Sequence, residues 1–170
     1  MPPSVSGRTP AELATLFGRG LAPLPAPDGV RRGALLALTR GFGGRLGGSL
    51  VEPWQPWLGK RFDASAGSGV NLIERSAFEL VRLLSGRRYF RWWPHDEHAF
   101  EAFPFRVEVA SSTLDDAQDV LRIDYDLRDN HPLLRRVLDE VVEVEAGVLL
   151  GQALLGRGGR RLRAAWFALW

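Results

Sequence analysis

The sequence predicts a mainly β fold, an antiparallel β-barrel with short capping helices. Three observations point there. First, apolar and polar residues alternate strictly in two stretches. Phe105, Val107 and Val109 alternate with Arg106 and Glu108. Leu121, Ile123, Tyr125 and Leu127 alternate with Arg122, Asp124, Asp126 and Arg128. Each pattern is a strand with one apolar and one polar face. Second, the C-terminal part reads as three strands, 141–144, 148–155 and 162–169. Short glycine-bearing links join them, as antiparallel hairpins require. Third, these last strands are apolar on both faces and end in Trp166-Phe167-Ala168-Leu169-Trp170. Such an edge aggregates if left unpaired, and closing the sheet removes it. A half-open sheet around a long helix is the alternative, but no long amphipathic helix is visible in the sequence.

With 170 residues, 45% hydrophobic and 25% charged, the chain has the size and composition of one globular domain. We expect residues 1–8 to be disordered and 9–170 to form the barrel. The absence of cysteine excludes disulfides, a thiolate nucleophile and cysteine-ligated zinc or iron–sulfur sites. The net charge is +2. Residues 1–90 carry a basic excess, 91–145 an acidic one, and 146–170 only basic charge. Lys60 is the only lysine, and every other basic residue is arginine. Neither a dominant basic balance nor a nucleic-acid reading module is present, so no nucleic-acid partner is expected. The N-terminus has no apolar run, and the longest apolar stretch, 146–155, is half of the roughly 20 residues a membrane span needs. A soluble, cytoplasmic chain without a membrane span is therefore the expectation.

The elements follow in order. Thr9-Pro10-Ala11-Glu12 fits a capping box with proline in the first turn, so 10–18 is a short helix ended by Gly18 and Gly20. Leu21 to Pro27 is a proline-rich linker. Residues 30–40 read as a strand bent at Gly33. Gly41 to Gly48 resembles a phosphate loop but lacks both diagnostic patterns, because Leu46 replaces the required glycine and no Gly-Lys-Ser/Thr follows. The Pro53–Asp63 stretch is irregular until a strand begins near Lys60. Residues 70–75 form another strand, 77–84 a helical turn or a strand, and 87–93 an aromatic, β-prone segment. Asn130-His131-Pro132 followed by Leu133, Leu134, Val137 and Leu138 predicts about two helical turns.

A strand-rich chain of this length, with a capping helix and clustered tryptophans, resembles the lipocalin-type (calycin-like) barrels. The chain is also similar, over Gly59-Lys60-Arg61-Phe62, to uncharacterised bacterial proteins named for a Gly-X-Trp-X-Gly sequence, although that sequence itself is missing here. The first resemblance implies a barrel that holds a small hydrophobic molecule. Neither implies a substrate.

Candidate chemistry is sparse. His95 and His98 are three apart and Glu101 is three further, so on a helix they share a face and could hold a metal with His131. Asp96 and Glu97 favour a solvated loop instead, and no metal or cofactor is expected. His95 or His98 could act as general acid or base. Asp124 and Asp126 share a strand face with Arg122 and Arg128 as counter-charges. The solvent face is the favoured reading for these, and Tyr125 then belongs to the lumen. Large aromatics line ligand pockets, which makes Trp54, Trp57, Trp92, Trp93, Trp166 and Tyr125 the candidate ligand-binding residues. Arg157, Arg160, Arg161 and Arg163 suit a charged hairpin turn or an anionic partner.

The expected function is binding of a small hydrophobic molecule, such as a lipid, terpenoid or polyketide-like compound, in an aromatic-lined cavity. The alternatives are an isomerase or cyclase on the same barrel and a protein-interaction module. For the enzyme, His95, His98, Asp124, Glu74 and Tyr125 are the proton-transfer candidates. The oligomeric state is left open.

Overall fold

The structure, a computed structural model, describes residues 1–39, 56–86 and 88–170. The glycine-rich stretch 41–48 and Trp54 lie outside the described residues. Strands form at β1 (Gly29–Leu38), β2 (Trp57–Asp63), β3 (Ser68–Glu74), β4 (Trp92–Pro94), β5 (Ala99–Ser111), β6 (Asp119–Asp124), β7 (Val137–Glu145), β8 (Val148–Arg157) and β9 (Arg160–Leu169). Among the described residues there are two α-helices, α1 (Pro10–Phe17) and α2 (Phe78–Ser85), and neither is long and apolar enough to cross a membrane.

Neighbouring strands run β3-β2-β1-β9-β8-β7-β6-β5, every pairing is antiparallel, and β3 also pairs with β5. Eight strands therefore close into a barrel, and short β4 pairs onto β5. The closure expected from the apolar C-terminal strand is realised. β9 lies between β1 and β8, so neither of its edges is free.

Strand register divides the apolar residues into two sets, because residues paired directly across a ladder share a face. Asp139 is opposite Ile123 and Ala153, Gly151 is opposite Phe167, and Leu149 is opposite Leu169. This set faces the lumen, where Phe62, Phe105, Leu121, Ile123, Tyr125, Val141 and Phe167 pack together. The alternate residues, Val120, Val142, Leu150, Trp166 and Ala168, face outward and are covered by Leu13 and Phe17 of α1. Phe17 meets Trp166 edge-on, with ring centroids 5.6 Å apart. The segment 1–8, expected from its composition to be disordered, places Val5 in this same cluster. The last strands are apolar on both faces because each face has its own cover.

The capping box forms as expected. The Thr9 hydroxyl accepts from the Glu12 amide at 3.3 Å, and the Thr9 amide donates to the Glu12 carboxylate at 2.8 Å. The stretch 77–84, left open between helix and strand, is helical in α2. Its Phe78 packs against Phe90 and Phe100. Among the described residues of the β-prone segment 87–93 only Trp92 and Trp93 enter a strand, since a turn at Gly86 (φ 71°) comes first and Tyr89 donates its amide to the Gly86 carbonyl. The two helical turns expected after Pro132 are corrected. A single 3-10 turn, Leu134–Arg136, ends where β7 begins. Val137, Val141, Val142 and Val144 are β-branched and stiff at χ1, and the ladders on both sides of β7 take Leu138 into the sheet.

Trp166 holds the helix to the wall. Trp166→Ala should lower stability by about 3–5 kcal/mol, the usual cost of deleting a large buried aromatic, read as a reduced urea midpoint with unchanged far-UV circular dichroism below it.

Candidate functional site

The lumen contains a polar cluster that four different strand regions build. Lys60 comes from β2, Asn71 from β3, Tyr125 from the residue after β6, and Asp139 from β7. Alternation explains how they meet. Lys60 shares a face of β2 with Phe62, Tyr125 continues the row Leu121–Ile123, and Asp139 shares its face with Val141. Lys60 is 2% exposed. Its ammonium lies 3.1 Å from Asp139 Oδ2, donates to Asn71 Oδ1 at 3.0 Å, and donates to the Tyr125 hydroxyl. Its three N–H donors thus have three acceptors. Around these contacts Asn71 donates to the Tyr125 hydroxyl at 3.2 Å and to the Phe103 carbonyl at 3.0 Å, and Trp57 Nε1 donates to Asn71 Oδ1 at 3.0 Å. The Tyr125 hydroxyl lies 3.2 Å from Asp139 Oδ2.

Aromatic rings enclose the ammonium. Its Nζ is 5.1 Å from the centroids of Phe105 and Tyr125, 5.4 Å from Trp57 and 5.5 Å from Phe167. These lie within the roughly 6 Å range of cation–π attraction. Burial still penalises each charged form. It pulls Lys60 below the ordinary lysine value, against the opposing pull of Asp139. It pushes Asp139 up, with Lys60 opposing. It also pushes the Tyr125 phenol well above its ordinary value, and the Asp139 charge adds to that rise. Tyr125 therefore stays a proton donor.

Beside the cluster is a cavity of about 340 Å³. Lys60, Asn71, Tyr125 and Asp139 line one part, and Leu35, Pro56, Trp57, Ala153, Ala165 and Phe167 line the rest. Small side chains leave this space. Ala153 and Ala165 pair across β8 and β9. Gly151 has no side chain where the Phe167 ring lies, and a Cβ there would come within 2.1 Å of that ring. The cavity is at the lower end of the usual size for small-molecule sites, about 300–1,000 Å³, and has their typical make-up of apolar walls with a few converging polar groups.

Of the aromatic residues singled out in the sequence, Trp57 and Tyr125 line this cavity. Trp166 faces outward beneath α1. Trp92 and Trp93 are exposed on β4, Trp92 against Phe78 at 4.8 Å. Of the five proton-transfer candidates Tyr125 lines the cavity, and His95, His98, Asp124 and Glu74 do not. His95 and His98 lie in the turn between β4 and β5. His95 Nδ1 is 3.0 Å from Glu101, and His98 pairs with Glu97 at the surface. Glu101 is on the outer face, held by two 2.6 Å contacts from Arg61, and this pairing lowers its carboxyl below the usual range. Because the two histidines sit in a turn, the helical spacing needed for a shared metal face does not arise. No group of three or more His, Cys, Asp or Glu side chains among the described residues is arranged to hold a metal ion. Asp124 is half-buried and accepts from the Asp126 amide, with Asp126 bonded to Arg135 at the surface. Glu74 is half-buried at the end of β3.

Sequence reasoning missed Lys60, Asn71, Asp139 and Phe167 as site residues. A signal existed for Lys60, since a single lysine among arginines sits two residues from Phe62 at strand spacing. Asp139 was hidden by the helical reading of the residues before it. No family description, curated protein or solved structure matches the chain.

The pair is costly to break from one side. Asp139→Ala leaves a buried ammonium without its counter-charge and should destabilise the barrel by about 3–5 kcal/mol. The double change Lys60→Met with Asp139→Leu should recover most of that loss. Chemical denaturation of the three proteins checks both statements.

Proposed function

We propose that the barrel binds a small, mainly apolar molecule inside its lumen, with Trp57, Phe167, Leu35 and the two alanines gripping its body and the Lys60 cluster orienting one polar group. The observation that carries this reading is the cavity itself, an apolar space of about 340 Å³ with polar side chains gathered on one part of its wall. Affinity comes from apolar area, at roughly 25 cal/mol per Å² removed from water. Orientation comes from Tyr125 and Asn71, whose hydrogen bonds are strengthened by the dry surroundings. Lipids, terpenoids and polyketide-like compounds have the required chemistry.

A second reading, an isomerase or cyclase acting on such a molecule, takes support from the buried Lys60–Asp139 pair and from Tyr125. These groups can hold and move a proton beside a shaped apolar substrate. They supply in the lumen what His95, His98, Asp124 and Glu74 were expected to supply. The arginine hairpin gives less support to an interaction role, because Arg161 donates to the Arg136 carbonyl and Arg163 to Gln152.

Ala153→Leu and Ala165→Leu fill the cavity from its wall at a stability cost of about 1–3 kcal/mol. Each should weaken binding of a fluorescent apolar probe at least about tenfold. Native mass spectrometry of the wild-type protein from its own host should show a retained small molecule that is absent from both variants. Equal probe affinity in all three proteins would contradict binding in the lumen.

A further inference from the structure

We propose that Lys60 is a covalent site for carbonyl compounds: its side-chain amine, set in the cavity wall beside Asp139 and Tyr125, condenses with a hydrophobic aldehyde or ketone to form an iminium. This rests on the lumen-binding reading and names the ligand class that the polar end of the cavity selects.

The residue choice points to amine chemistry. Every other basic residue in the chain is arginine, and arginine supplies charge and hydrogen bonds as well as lysine does. It cannot supply a nucleophile, because its guanidinium is never deprotonated in a protein, whereas a buried lysine readily is. The only lysine is one of the residues that line the cavity, and its Nζ contacts Asn71, Tyr125 and Asp139. Charge balance points the same way. Lys60 already has Asp139 at 3.1 Å as its counter-charge, so an anionic ligand would meet a carboxylate as well as the ammonium. A neutral carbonyl meets no such repulsion, and its condensation leaves the balance unchanged.

The steps close in atoms and charge. A proton passes from the Lys60 ammonium to the Asp139 carboxylate. The free amine attacks the carbonyl carbon, forming the C–N bond, while Tyr125 donates a hydrogen bond to the oxygen. A proton then moves from nitrogen to that oxygen, which gives a neutral carbinolamine. Asp139 returns its proton to the hydroxyl, the C–O bond breaks, and water leaves. An iminium cation now stands opposite the Asp139 carboxylate, as the ammonium did before. Burial, which lowers the proton affinity of Lys60, favours the first step.

The test uses naphthaldehyde and the matching naphthylmethanol with the intact protein. Cyanoborohydride at neutral pH reduces an iminium to a stable secondary amine by adding hydride at carbon. Only the Met1 α-amino group and Lys60 are available amines, so intact mass and peptide mapping assign the product. The expected result is one adduct per chain, on Lys60. Lys60→Arg should abolish it, and calorimetry of the wild-type protein should show naphthylmethanol binding. Asp139→Asn, which cannot hold the proton, should slow adduct formation at least about tenfold. If naphthylmethanol binds but the aldehyde gives no adduct, or one on Met1 alone, the carbonyl proposal is overturned and lumen binding stands. If neither compound binds, both readings fall.

Discussion

An ammonium and a carboxylate held together inside an apolar barrel are the constraint around which this molecule is arranged. Removing either ion from water costs several kcal/mol, and their attraction repays this only with good geometry and with the remaining donors and acceptors satisfied. The barrel meets those terms by bringing Lys60, Asn71, Tyr125 and Asp139 in from separate strand regions. The arrangement adds little net stability, but it makes the strand register specific. A one-residue slip of β2, β3 or β7 would turn that strand's polar group out of the lumen and strand the others in an apolar space.

The same wall serves two interiors. On β7, β8 and β9 one row of side chains looks into the lumen and the next row looks out under α1. The outer layer is filled by bulky groups, with Trp166 and Phe17 in contact. The lumen row instead includes Gly151, Ala153 and Ala165 beside Phe167. Both rows bury an apolar cluster, and the outer one is closed over by α1. The inside keeps space, and its polar groups remain within reach of that space.

Much of the architecture was legible in the sequence. Alternation over 105–109 and 121–127 identified two barrel strands, glycine-bearing links identified the C-terminal hairpins, and Thr9 with Glu12 identified the α1 cap. Closure followed from the aromatic last strand, which needed neighbours on both sides. The site was less legible. Tyr125 could be placed in the lumen because its row was apolar throughout. Trp166 could not be separated from Phe167, since both faces of β9 are apolar and only α1 distinguishes them. Lys60 and Asp139 are polar residues on a buried row, and periodicity reads such residues as interruptions until their partner across the barrel is known. His95 and His98 drew attention as a dense motif, but their turn lies on the outside.

The central claim is that the one lysine of this chain sits among aromatic rings in the lumen and is paired with Asp139. Proton NMR of protein labelled with ¹³C and ¹⁵N in lysine tests it most directly, because a single side chain gives a single set of signals. The account predicts upfield ring-current shifts of the Lys60 side-chain protons near Nζ, nuclear Overhauser contacts to Tyr125 and Phe167, and an ammonium signal slow to exchange with water. Random-coil shifts with rapid exchange would place Lys60 in solvent and contradict the account.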